Sequence, residues 1–191
     1  MTRGLLATAA NKSNEQVEMT SAAGSIDLDA ISRALSIPLW FRLDLNLRFV
    51  DPRPLELLDH WSAKFRGPLL PRRSQFSPHE LIEHLGNLII LETEPELRDF
   101  RYRLVGTDIV EQVGRDVTGQ LIGEAYDERT VRIMRYLADN RVPGRIFGRV
   151  EWQDKPFLHY ETLILPLSDD GHTVDRLLGE MVFPPHIDGI E

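Results

Sequence analysis

Apolar and polar residues alternate strictly from Phe41 to Phe49, with Phe41, Leu43, Leu45, Leu47 and Phe49 separated by Arg42, Asp44, Asn46 and Arg48. A two-residue period predicts a half-buried strand. Such a strand would be an aggregation hazard alone in water, so it should pair with a sheet edge or a partner. Asp51-Pro-Arg-Pro54 breaks it and starts a helix, proline being suited to the first helical position. Leu57, Leu58, Trp61 and Phe65 share one face of that helix, with Trp61 as its anchor on the core. Ser77-Pro-His-Glu80 is a capping box with proline at its first helical position, and Gly86 closes the short helix that it opens. Leu88 to Thr93 then reads as a short apolar strand turned at Glu94-Pro95.

Phe100, Tyr102 and Leu104 form the apolar face of the next strand, alternating with Arg101, Arg103 and Val105. Gly106 stops it, and Thr107 or Asp108 is expected to cap a helix carrying Ile109, Val110 and Val113 on one side. Gly114 falls where a left-handed C-terminal residue is usual. Gln120 to Tyr126 reads as irregular, and Asp127 caps a longer helix with Val131, Met134, Leu137 and Ala138 as its buried stripe. Three strands complete the pattern: Arg145 to Trp152, Phe157 to Leu167 and Arg176 to Phe183. The last two are joined by the turn Ser168-Asp-Asp-Gly171.

Composition narrows the chemistry. The chain of 191 residues has no cysteine, which excludes disulfides, thiolate metal sites and cysteine nucleophiles. No stretch approaches the roughly 18 apolar residues of a membrane span. The short apolar run in Met1–Ala10 is followed at once by polar residues, so no signal peptide and a cytoplasmic location are expected. The net charge of −8 is uneven: Ser32 to Pro78 carries +4, and the chain from His79 onward carries −10. An acidic main body argues against nucleic acid as partner. The six histidines show no metal-ligand spacing, and phosphate-binding glycine loops and serine-nucleophile elbows are absent.

Two strands, several short helices and three strands are the order of a PAS domain. The strand running through Gly106-Thr107 into a capped helix resembles the second strand and first helix of that fold. Tyr102-Arg103, Gly106-Thr107 and Thr118-Gly119 resemble the pattern of one bacterial family of single PAS domains, and Leu70-Pro71-Arg72 resembles its Leu-Pro-Arg element. The resemblance implies an α+β fold: a five-stranded antiparallel sheet with helices on one face, preceded by an N-terminal helical extension. Residues 1–38 are expected to be a disordered tail, 39–86 an arm of one strand and two helices, 87–185 the PAS core, and 186–191 a C-terminal tail. The structural motif comprises Trp61, Pro71, Arg72, Gly106, Thr107, Gly114, Thr118 and Gly119.

The function implied is a stand-alone sensory or adaptor module of bacterial signal transduction, binding a small molecule, a signalling protein, or both. Photoactive members of the flavin–cysteine and p-coumaric classes need a cysteine, and haem-binding members usually offer a histidine from a span that here, Leu85 to Leu158, has none. No cofactor is expected. Tyr102, Met134, Phe147 and Tyr160 are candidates to line a cavity between sheet and long helix. Arg103 is a candidate clamp, for an acidic ligand or between strand and helix. His159 either faces a pocket or is a hydrogen-bonded structural residue. Two other classes stay open: a small cone-shaped α+β enzyme using a His159–Glu161 dyad, and a dimerisation module with a filled core. The Phe41–Phe49 strand is expected to dock across a subunit boundary and form a homodimer, with docking on its own sheet as the alternative.

Overall fold

A computed structural model describes residues 41–96, 98–150 and 155–188. The expected N-terminal tail lies outside the described residues. The elements are β1 (Phe41–Asp44), α1 (Arg53–Ala63), β2 (Leu88–Glu94), β3 (Asp99–Val105), α2 (Thr107–Val113), α3 (Ile122–Ala125), α4 (Glu128–Asn140), β4 (Gly144–Val150), β5 (Lys155–Leu167) and β6 (Arg176–Val182). They form one antiparallel sheet of six strands in the order β1-β4-β5-β6-β2-β3. The sixth strand, beyond the five expected, is the N-terminal arm, paired with β4 at the sheet edge.

Both faces of the sheet are apolar, so both need a cover. In β5, Ile164 joins the inner core under α2, α3 and α4, while Leu163, Leu165 and Leu167 join an outer core with Leu57, Trp61, Leu70, Phe76 and Leu81. The N-terminal extension supplies that second layer. Trp61 is its anchor: the buried indole lies edge-on to Phe65 and donates from Nε1 to the Pro166 carbonyl at 2.9 Å. Pairing of β5 with β4 ends at Ile164, so Pro166 sits where a missing N–H breaks no ladder bond. Leu70-Pro71-Arg72 pins the extension to the β5–β6 turn, through Leu70 N to Gly171 O (3.1 Å) and Ser168 N to Pro71 O (3.0 Å).

The arm departs from its expected course after four residues. Asp44 is buried, and its carboxylate accepts from the backbone N–H groups of Asn46 (2.9 Å) and Arg48 (3.2 Å). That turn, with Leu47 at φ 55°, breaks the alternation. Leu43 and Leu45 stay with the inner core, whereas Leu47 and Phe49 cross to the outer one. The arm thus docks on its own sheet, and docking across a subunit boundary is corrected to that alternative. The second expected helix is also corrected. The Ser77–Glu80 capping box forms (Ser77 N to Glu80 Oε2 3.0 Å, Glu80 N to Ser77 Oγ 3.2 Å), but the chain runs on as turns into a 3-10 turn at Leu85–Asn87. Ile187, expected in the C-terminal tail, is buried. No helix among the described residues is long and apolar enough to cross a membrane.

The turns end on a buried ionic contact. His84 Nδ1 lies 2.8 Å from Glu180 Oε1 on β6, and both side chains are buried. The other carboxylate oxygen, Oε2, has no hydrogen-bond partner among the described residues, so this acid depends on His84. The bond to Glu180 raises the His84 pKa against the lowering effect of burial, and the charges of Glu180, Glu56 and Glu83 raise it further. A raised folded-state pKa adds stability that is complete below the unfolded histidine pKa and is lost as pH rises through the folded one. His84→Asn is therefore expected to cost on the order of 1.5–3 kcal/mol at pH 6, and less as pH rises above neutrality. Urea unfolding of both proteins from pH 6 to 9 checks this, and a gap independent of pH would refute it.

Candidate functional site

Between the inner face of the sheet and the helical layer lies a cavity of about 370 Å³. Its floor is formed by Ile89 and Leu91 of β2, Ile146 of β4, Thr162 and Ile164 of β5, and Met181 of β6. Ile109 of α2 and Met134 of α4 face them. Three tyrosines, Tyr102, Tyr126 and Tyr160, also line it.

β3 reaches this cavity through a break in its own pattern. Its register with β2 shifts between Ile90 and Leu91, so Arg103 is an extra residue in the ladder, a β-bulge. Phe100 and Tyr102 point inward before the bulge, and Val105 lines the cavity after it. Leu104, expected on the apolar face, is turned outward and partly exposed. The Thr118-Gly119 motif fixes Tyr102 from outside: Gly119 N donates to Tyr102 O (2.7 Å), and Tyr102 N donates to Gln120 O (3.0 Å).

At the other wall, Asp127 caps α4 as expected, accepting from Thr130 N at 2.9 Å. Its second oxygen takes the Arg129 guanidinium at 2.9 and 3.0 Å. The two charged residues of the lining therefore neutralise each other.

Tyr102 and Tyr126 are neighbours, with ring centroids 6.2 Å apart. The Arg115 guanidinium lies 4.7 Å above the Tyr126 ring and donates to the Ala125 carbonyl at 2.5 Å. Burial raises the pKa of all three phenols, those of Tyr102 and Tyr160 well above the ordinary value. Hydrogen bonds to Arg115 and Tyr102 pull Tyr126 back, but burial outweighs them. All three stay protonated near neutral pH and keep their O–H donors. Thr162 adds a hydroxyl with no hydrogen-bond partner among the described residues, though the residue is only 6% exposed.

Of the candidate residues, Tyr102, Met134 and Tyr160 line this cavity, whereas Arg103, Phe147 and His159 lie away from it. Arg103 is exposed at the bulge. Phe147 sits on the outer face with the Arg145 guanidinium 3.9 Å from its ring centroid. His159 shares that face, its Nδ1 3.4 Å from the Pro185 carbonyl and its ring 5.6 Å from that of His186. Glu161 is buried there too, committed to Arg145 Nη2 (2.7 Å) and to the backbone N–H groups of Val50 (3.0 Å) and Asp51 (2.7 Å). The His159–Glu161 pair therefore faces away from the cavity. Among the described residues no group of three histidine, aspartate or glutamate side chains is placed to hold a metal.

Tyr126 and Thr162 also line the cavity and were not among the candidates. Tyr126 had a signal: it directly precedes the α4 cap, the position from which an apolar residue usually folds back onto a helix start. Thr162 had only its place in β5, two residues after Tyr160.

Residues 51–182 match a family model described as PAS domain. No curated protein matches. Solved structures similar to the chain include the light-state structure of the blue-light photoreceptor Aureochrome1 LOV, at 14% identity over 55% of this chain and 85% of that one, TM-score 0.39. Another comes from work on light-oxygen-voltage domain mechanism with a flavin analogue, at 16% identity over 56% of this chain and 82% of that one, TM-score 0.42. A third is an RNA-binding light-oxygen-voltage receptor, at 18% identity over 63% of this chain and 37% of that one, TM-score 0.41. The family match spans more than half of the sequence, from the start of α1 to the end of β6, and on it the chain belongs to the PAS domain family of sensory modules.

Proposed function

We propose that this chain is a sensory and adaptor module of bacterial signal transduction in the cytoplasm, and that its signal is a small molecule held between the sheet and α4. The observation that carries the reading is the cavity of about 370 Å³, lined by residues of seven elements around hydroxyl groups. Protein interiors are close-packed, and a partly open space many waters in size between sheet and helices is a feature to be explained. This volume falls within the range of small-ligand pockets, and it speaks against a dimerisation module with a filled core. Output passes to a signalling protein or to a second copy in a homodimer. The bacterial and cytoplasmic setting follows the family that Tyr102-Arg103, Gly106-Thr107 and Thr118-Gly119 resemble.

A ligand seated there touches α2 and α4 on one side and five strands on the other, so it tightens the helical layer onto the sheet. Binding to the folded state alone adds RT ln(1 + [L]/Kd) to stability, about 2.7 kcal/mol at a hundredfold excess over Kd. Native mass spectrometry of the protein purified from its own host is expected to show an added mass that leaves on denaturation. Met134→Trp, which fills the cavity from α4, is expected to lose that mass while remaining folded, at a cost of about 1–3 kcal/mol for overpacking. An added mass retained by a folded Met134→Trp protein would move the ligand elsewhere.

A further inference from the structure

The lining of the cavity specifies the chemistry of its ligand, and this step rests on the reading of the cavity as the sensory site. A carboxylate or phosphate finds no free cation: among the lining residues the one arginine, Arg129, is bonded to Asp127. An amine finds no free anion, because one Asp127 oxygen accepts from Thr130 N and Oγ1 (2.9 and 3.1 Å) and the other from Arg129. Burying an unpaired charge in such a site is strongly unfavourable.

The hydroxyl groups remain. The phenols of Tyr102, Tyr126 and Tyr160 are held protonated by burial, and Tyr126 is polarised by the Arg115 guanidinium over its ring. The Thr162 hydroxyl is unpartnered among the described residues, in the middle of the floor between Ile146 and Met181. Apart from these groups, Thr130 and the mutually bonded Asp127 and Arg129, the lining is aliphatic. A ligand that supplies an acceptor to the Thr162 hydroxyl gains specificity there.

We infer that the cavity takes an uncharged, largely apolar molecule bearing an acceptor oxygen, the chemistry of a ketone, aldehyde or ester, with Thr162 and Tyr126 as the residues that recognise the oxygen.

Three probes of one shape test this: acetophenone, ethylbenzene and benzoate, titrated into the full chain by ligand-observed NMR. Thr162→Val replaces the hydroxyl with a methyl group of similar size in a strand that favours valine. It is expected to weaken acetophenone three- to tenfold and to leave ethylbenzene within twofold. Tyr126→Phe gives the same comparison from the helical side and stands in should Thr162→Val not fold. Benzoate is expected to bind at least tenfold more weakly than acetophenone. If neither hydroxyl deletion separates acetophenone from ethylbenzene, or if benzoate matches acetophenone, the inference is overturned while the cavity reading survives on the binding observed. If neither acetophenone nor ethylbenzene binds the wild-type protein, the cavity reading falls and the inference with it.

Discussion

Glu161→Ala is expected to destabilise the protein by about 3–5 kcal/mol, the cost of leaving a buried charge without its partner. Glu161 has no exposed surface and serves three donor residues on two other segments of the chain. It takes the Arg145 guanidinium of β4 through Nε at 2.8 Å and Nη2 at 2.7 Å, and the backbone N–H groups of Val50 and Asp51 where the arm crosses the sheet. Arg145 is itself buried between the rings of Phe49 and Phe147. Without Glu161, its nearest carboxylate is Asp44 at 3.7 Å, already bonded to Arg48 and to two backbone N–H groups. Urea unfolding measures the loss. Hydrogen exchange at Val50 and Asp51 locates it, since those amides lose their acceptor. Glu161→Gln keeps the shape and one acceptor oxygen but not the charge, so it should fall between alanine and wild type. A Glu161→Ala protein within 1 kcal/mol of wild type would mean that the arm is not held by this carboxylate.

Glu161 also shows what a linear pattern can carry. His159 and Glu161 are two apart and do share a face, as a two-residue period requires. Which face that is depends on the neighbours of β5. Its run Leu163-Ile-Leu-Pro-Leu167 is apolar on both sides, and only the docking of Trp61 and Phe76 tells outer from inner. Single insertions are similarly hidden. Nothing in Phe100-Arg-Tyr-Arg-Leu-Val105 marks Arg103 as an extra residue, because the bulge exists only in the register with β2. Elements whose cause is local were legible: the Asp127 cap, the left-handed Gly114 (φ 83°) and the turn after Leu167. The turn at Asp44 was missed: aspartate two residues before asparagine suits a side chain that bonds its own backbone, but the alternation of leucines masked it. A capping box fixes where a helix begins and not how far it runs. Between Ser77 and Gly86 there are too few residues for a helix that stands without extensive packing.

Gly106→Val is expected to lose about 3 kcal/mol or more, the upper end of overpacking penalties. A glycine at a junction of strand and helix suggests a left-handed conformation as its reason. The backbone has φ −65° and ψ 151°, extended values that valine adopts readily. The reason lies in the neighbouring chain. Gly106 N donates to Leu88 O at 2.8 Å, drawing the junction against the turn before β2, and a Cβ on Gly106 would fall on the Gly86 carbonyl. On the other side of that turn, a Cβ on Gly86 would lie against the Asp108 carboxylate, to which Asn87 Nδ2 donates at 3.3 Å. Two backbones therefore meet at Gly106, where the obstacle to a side chain is main chain and not a movable side chain. Gly119 gives the opposite case: it has φ 86° with nothing within 4 Å of where a Cβ would stand, so Gly119→Asn, which tolerates that conformation, should cost under about 1 kcal/mol. Urea denaturation of the two variants beside wild type separates close approach from backbone conformation. Equal losses, or a wild-type midpoint for Gly106→Val, would remove the backbone crossing as the cause. The consequence extends to the cavity, since α2 begins at Thr107 and carries Ile109 into its wall. A Gly106→Ala protein that still folds, with α2 pushed outward, should bind the cavity probes more weakly than wild type, although residue 106 touches none of them.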